Sequence, residues 1–331
     1  MPKKFIQELT IEITNKCNLK CRICGIWKEK PRFIKFSLVH GFIKALAGRY
    51  AINSISLTGG EPFLHPQIQQ ILRLMFLLKK TGAIRCFDIN TNGYATRKIL
   101  GILKENNAFL DGCHIGISLD GLDSRHAQIR GKRDAFKQTF KTIETIKERF
   151  GGRVTLRVKF TISEFNYRDI YPFYLFCLKN RLMFSPKISE QNVRNYYHRE
   201  KAPCSPLNPL RQKNVRAAVK TQLERILLEE QQKAERVIDP TSFAQLIYLV
   251  SRDQLPVTSC LTPARCLFLT SEQKIYACLN MKEIGELKDG ISVVFGERHN
   301  KLATQGLRGN CPGCFAYHGF LNSINRLFTT P

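Results

Sequence analysis

Ile11-Glu12-Ile13-Thr14-Asn15-Lys16-Cys17-Asn18-Leu19-Lys20-Cys21-Arg22-Ile23-Cys24 opens with apolar and polar residues in alternation and closes with three cysteines spaced C-x3-C-x2-C. Period-two alternation is the mark of a half-buried strand, so the cysteines fall on a loop at its carboxyl end. Working outward, the same texture recurs. Leu9–Thr14, Ile52–Thr58, Ile84–Asn90, His114–Asp120 and Val154–Thr161 read as strands, with a weaker one at Leu182–Ser185. Helical periodicity fills the gaps at 37–48, 66–80, 96–106, 134–149 and 168–179. Strands alternating with amphipathic helices predict parallel βα units.

Strand parity carries the fold further. Ile11, Ile13, Ile55, Leu57, Ile115, Ile117, Leu119, Val154, Leu156, Val158 and Phe160 make one apolar set. The alternate set is polar: Glu12, Thr14, Ser56, Thr58, Asp88, Asn90, Ser118, Asp120, Arg157 and Lys159. Closed eight-stranded barrels fill their centres with branched apolar side chains, whereas a polar inner face suits a wet lumen. The expected fold is therefore α/β, a partial (β/α)6 TIM-like barrel over residues 5–185. A Pro-punctuated, helical connector follows over 186–255, with helices near 212–236 and 241–251. A small Cys-rich module with a hairpin at Leu267–Tyr276 occupies 256–331.

The 331 residues are 43% hydrophobic and 24% charged, ordinary globular values that argue against disorder. No apolar run approaches the roughly 18–20 residues of a membrane span, and the start lacks the pattern of a secretory signal. Twelve cysteines in such a chain fit a reducing, cytoplasmic setting and metal or cluster ligation better than a disulfide framework. The net charge of +25 implies an acidic partner without naming it.

Three thiolates on one loop hold three irons of a [4Fe-4S] cluster and leave the fourth iron open, much as catalytic metals keep a vacant position. The next cysteine, Cys86, is far along the chain. Cys86 and Cys177 sit among apolar neighbours and read as core thiols, and His65, His126 and His318 show no spacing that suggests a metal site.

In these residues the chain resembles the radical S-adenosylmethionine (SAM) superfamily. Thr58-Gly59-Gly60-Glu61-Pro62 after the second strand is similar to its GGEP motif, and Asn90-Thr91-Asn92-Gly93 after the third to its TNG turn. Ser118-Leu119-Asp120-Gly121 with Arg130-Gly131, and Asn166, resemble the subgroup that carries auxiliary clusters. Every match lies at the carboxyl end of a predicted strand, where βα folds build their sites. The resemblance implies a SAM-binding [4Fe-4S] cluster on Cys17, Cys21 and Cys24. It implies a SAM site formed by Gly59, Gly60, Glu61 and Pro62 at the methionine, Asn92 and Ser118 near the ribose, Asp120 beside them and the Ile23 backbone at adenine. The family usually places an aromatic residue where Ile23 stands. Arg157 or Lys159 is expected to face the SAM carboxylate or a substrate anion, and Trp27 reads as a packing residue.

Cys260, Cys278, Cys311 and Cys314 are spaced C-x17-C, a long gap, then C-x2-C, and resemble a SPASM/twitch extension with one auxiliary [4Fe-4S] cluster. Cys266 competes with Cys260 for one ligand place, and a zinc site tolerates the same spacing. The implied activity is reductive cleavage of SAM to a 5′-deoxyadenosyl radical that abstracts hydrogen from a substrate. By the resemblance that substrate is a peptide or protein side chain or a small biosynthetic intermediate, and the charge favours an acidic peptide. An electron donor such as flavodoxin or ferredoxin is implied as partner. The competing readings are RNA modification, which the basic surface favours without a recognisable RNA-binding module, and a non-catalytic iron-sulfur or zinc scaffold.

Overall fold

The computed structural model describes residues 4–189, 212–251, 262–279 and 281–307. Cys204, Cys260, Cys311, Cys314 and His318 lie outside the described residues. Six parallel strands follow one another in the chain: β1 (Phe5–Thr14), β2 (Ala51–Gly59), β3 (Cys86–Thr91), β4 (Cys113–Ser118), β5 (Val154–Ile162) and β6 (Met183–Ile188). Each pairs with its predecessor, and β6 ends the sheet without meeting β1, so the barrel is open.

The register sorts the side chains between two faces. Ile11, Leu57, Ile89, Ile115 and Leu156 stand side by side on neighbouring strands, and the first four are fully buried. Burying each such side chain contributes roughly 1.5–3 kcal/mol, and this row packs under the helices. The neighbouring row of Thr10, Ser56, Asp88, His114 and Thr155 faces the other way, into the lumen. A slip of one residue would exchange the two rows.

Connecting the strands are α1 (Phe36–Arg49), α2 (Ile68–Lys80), α3 (Thr96–Glu105), α4 (Asp123–Arg130), α5 (Ala135–Phe150) and α6 (Ile170–Lys179). All but α4 coincide with predicted helices. Among the eight residues of α4 only His126, Ile129 and Arg130 are buried, so it has no apolar stripe for periodicity to detect. It stops at Gly131, which takes the left-handed conformation at φ 73°. Beyond β6, α7 (Lys213–Gln231) and α8 (Pro240–Val250) pack on α6 and the last strands. Phe160, Phe173, Phe184 and Phe243 form a chain of ring contacts there. Glu230, fully buried on α7, accepts hydrogen bonds from Tyr174, Lys233 and the Val237 amide.

The predicted hairpin exists and shares the main sheet. After the short α9 (Thr262–Arg265), β7 (Cys266–Leu269) pairs parallel with β1 on the side away from β2, and β8 (Lys274–Tyr276) and β9 (Gly285–Glu286) continue antiparallel. Glu12 accepts from both the amide and the hydroxyl of Ser271 at the hairpin turn, and Arg32 pairs with Glu272 at 3.0 Å. The described part ends in α10 (Glu297–Leu307). Among the described residues no helix is long and apolar enough to cross a membrane.

Candidate active site

Backbone approach at the carboxyl ends of β1 and β2 sets the position of the cysteine loop. The register shifts between Glu12 and Thr14, bringing Thr14 opposite Gly59. The Gly60 amide then donates to the Thr14 carbonyl and the Glu61 amide to the Lys16 carbonyl, each at 2.8 Å. A Cβ on Gly59 would stand 2.1 Å from the Thr14 oxygen, and one on Gly60 2.4 Å from that of Lys16. Only glycine admits this contact. Across the loop, the Asn15 side chain donates to the Lys30 carbonyl and accepts from the Arg32 amide, closing it at its base.

Glu61 and Asn92 join the next two strand ends to Cys17. The fully buried Glu61 carboxylate accepts from Thr91 Oγ1 and the Phe63 amide on Oε1, and from the Asn92 amide on Oε2. Burial pushes its pKa up to about 7 against these three hydrogen bonds. Oε2 retains an acceptor position. Asn92 Nδ2 donates to Asn18 Oδ1 at 2.7 Å and lies 3.6 Å from Cys17 Sγ. Pro62 starts the buried 3-10 turn Pro62–Leu64 that carries the segment back to α2.

A second brace rises from β4. Asp120, fully buried, pairs with Arg130 Nη2 at 2.5 Å, accepts from the Thr161 amide on Oδ1, and receives Asn166 Nδ2 on its backbone carbonyl. Arg130 Nη1 reaches Cys21 Sγ at 3.7 Å. The Arg22 amide donates to the Ile129 carbonyl, so the end of α4 holds the cysteine loop through backbone and side chain together. Trp27 Nε1 donates to the carbonyls of Cys24 (2.9 Å) and Cys21 (3.3 Å), which makes the indole a clamp on the loop. Ser118 is half-buried at the end of β4 and Ile23 half-buried in the loop.

Cys17, Cys21, Gly59, Gly60, Glu61 and Asn92 are thus brought together, joined to Asp120 through Arg130. Sequence reading left two of these links unseen. Arg130 was legible as part of a motif but not as a donor to a cysteine sulfur, and Thr91 was part of a turn but not a partner of Glu61. Asp120 directs its carboxylate into the protein, toward Arg130. Cys177 is fully buried, as expected; Cys86 is not a core thiol. It is half-buried at the start of β3 on the lumen face, because it shares parity with Asp88, while its neighbour Phe87 takes the helix face. Of the second cysteine set only Cys278 is described, buried just after β8, and Cys266 is buried as the first residue of β7.

The donor set suits an iron-sulfur cluster. Burial pushes the Cys17 thiol up to about 12 and raises that of Cys21 despite Arg130. Thiolates in such a place need bound cations. Asn92 and Arg130 supply the N–H groups toward sulfur that orient and tune ligands of this kind.

Residues 11–170 match the family model of the radical SAM superfamily. The likeness to that superfamily is carried by this stretch, somewhat less than half of the chain. The antilisterial bacteriocin subtilosin biosynthesis protein AlbA of Bacillus subtilis is 31% identical to it over 166 residues, 49% of this chain and 34% of AlbA. The GTP 3',8-cyclase of Chlorobaculum tepidum is 33% identical over 145 residues, 43% of this chain and 42% of the cyclase. The matches therefore span less than half the length of these relatives. Among solved structures, Streptococcus suis SuiB bound to S-adenosylmethionine aligns over 91% of this chain and 68% of its own, with a TM-score of 0.66 at 17% identity. SuiB bound to the precursor peptide SuiA aligns over 91% and 67%, with a TM-score of 0.64 at the same 17% identity. The partial barrel is the fold this chain shares with SuiB, and the likeness, covering 91% of the chain, runs past the barrel into the part built on β7–β9.

Proposed function

We propose that this radical SAM chain modifies a peptide or protein side chain. Cys17, Cys21 and Cys24 would hold a [4Fe-4S] cluster beside SAM, and that pair would supply radical hydrogen-atom abstraction. The chain's own task is to hold, orient and exclude water. Gly59 to Pro62 offer backbone and the remaining Glu61 acceptor position to the methionine ammonium group. Asn92 and Ser118 stand at adjacent strand ends for the ribose, and the Ile23 backbone is available to adenine. Asp120 acts through Arg130, which keeps a positive charge beside Cys21. Cys260, Cys278, Cys311 and Cys314 are assigned to an auxiliary cluster, and a flavodoxin or ferredoxin to electron supply.

The observation that carries this reading is the double brace on the cysteine loop, by Asn92 at Cys17 and by Arg130 at Cys21. The peptide substrate is supported by the likeness to AlbA and SuiB, and the net charge of +25 suits an acidic peptide. A small phosphorylated substrate is the competing reading. It is favoured by the match to GTP 3',8-cyclase and by Lys159 and Lys187 on the lumen face.

Anaerobic reconstitution with iron, sulfide, SAM and reductant tests the proposal. Expected are 5′-deoxyadenosine and about eight irons per chain, taking four per cubane; about four would remove the auxiliary cluster. Changing Cys17, Cys21 and Cys24 to Ala must abolish 5′-deoxyadenosine, and its persistence would defeat the mechanism.

A further inference from the structure

At the amino-terminal end of the lumen, far from the cysteine loop, Cys86, Asp88 and His114 form the one group among the described residues whose three ligand atoms lie within 4.8 Å of one another. Two strands produce it. Cys86 and Asp88 are two apart on β3 and share its lumen face, and His114 on β4 is the direct register partner of Asp88. His114 Nδ1 lies 3.4 Å from Asp88 Oδ1. At about 3.3 Å per residue, Asp88, His114 and Cys86 stand three, four and five residues before their strand ends, placing the group roughly 10–16 Å from the ends that carry the active site.

We propose that Cys86, Asp88 and His114 bind a zinc ion. The ligand chemistry decides the metal: a thiolate and an imidazole are poor ligands for magnesium or calcium, and with one carboxylate they match zinc. Zinc bonds of about 2.0–2.3 Å in a tetrahedron put ligand atoms about 3.3–3.8 Å apart. The His114–Asp88 separation already has that value, and the remaining ones close by side-chain rotation of roughly 1 Å. Charge also balances, since one thiolate and one carboxylate cancel a doubly charged ion and the imidazole binds neutral. Burial and the neighbouring Asp88 carboxylate push the Cys86 thiol up, with Arg85 and Arg157 giving partial relief, so a cation here stabilises the thiolate. Three protein ligands leave a fourth position for water or a donor from a molecule in the lumen.

The test uses the full chain with its clusters reconstituted, exposed to zinc and freed of excess by gel filtration. Zinc and iron are then counted together, and the zinc environment is read by X-ray absorption at the zinc edge. The expected result is about one zinc per chain with one sulfur and two or more nitrogen or oxygen neighbours. Cys86→Ser, Asp88→Asn and His114→Ala should each weaken zinc retention at least about tenfold while leaving the iron count unchanged. Asp88→Asn is nearly isosteric and keeps the test open should another variant fold poorly. Wild-type protein with full iron and no zinc would overturn the proposal. So would zinc retained equally by the three variants, or zinc surrounded by sulfur alone, which would place it in the cysteine clusters.

Discussion

The two ends of one sheet are built on opposite principles. At the carboxyl end, buried polar groups are paired with one another: Glu61 with Thr91, Phe63 and Asn92, and Asp120 with Thr161 by a hydrogen bond and with Arg130 as an ion pair, Arg130 Nε alone among these groups being left without a hydrogen-bond or charge partner. At the amino end, Cys86, Asp88 and His114 are half-buried, with a single 3.4 Å contact between Asp88 and His114. The first end is held in shape by the chain itself before any cofactor arrives. The second has ligands close together but little to hold them, and gains its order from an ion.

The sharpest way to break that contrast is Asp120→Ala, which strands the buried Arg130 without its counter-charge. The expected loss is about 3–5 kcal/mol, read by urea denaturation at neutral pH, together with fewer irons after reconstitution. A loss below about 1 kcal/mol would mean the carboxyl end is not pre-built.

Next comes the pH response of Glu61. Its folded pKa is raised from 4.5 to about 7, so the folded state holds the proton more tightly than the unfolded chain. That contribution is fully present below pH 4.5 and is lost as pH rises through about 7. At 1.36 kcal/mol per pKa unit the swing is about 3 kcal/mol. Between those pH values wild type should lose about 3 kcal/mol more stability than Glu61→Gln, and parallel curves would refute it.

Ser271→Ala tests the same end from the hairpin side. It removes the hydroxyl donor to the buried Glu12, at an expected cost of about 1.5–3 kcal/mol in thermal or urea unfolding. The smallest effect belongs to the other end: His114→Ala in metal-stripped protein should change stability by less than about 1 kcal/mol. A larger loss would show that the lumen triad is braced without an ion.

Much of this was legible because strand parity and motif position are local. The alternation in Ile11–Thr14 and Ile55–Thr58 determines which face is buried, and the cysteine spacing and Gly59-Gly60-Glu61 lie at predicted strand ends. What escaped depended on partners far apart in the chain. Arg130 is 109 residues from Cys21, and Glu12 is 259 from Ser271, and no periodicity encodes such pairs. Cys86 reads as apolar from its neighbours Ile84 and Phe87, yet Ile84 lies before the strand and Phe87, next to Cys86, points to the opposite face. His114 stood inside a strand and carried no spacing to announce it. Parity applied to Cys86, Asp88 and His114 together was the signal that could have found the triad.

The parallel pairing of β7 with β1 also shields the edge of the first strand. Because the late segment supplies the neighbour for the first strand, a chain cut short after α8 would bare a row of backbone donors and acceptors along β1, an invitation to stick to other copies. A replacement tail would leave β1 covered only if it brought a strand of matching register.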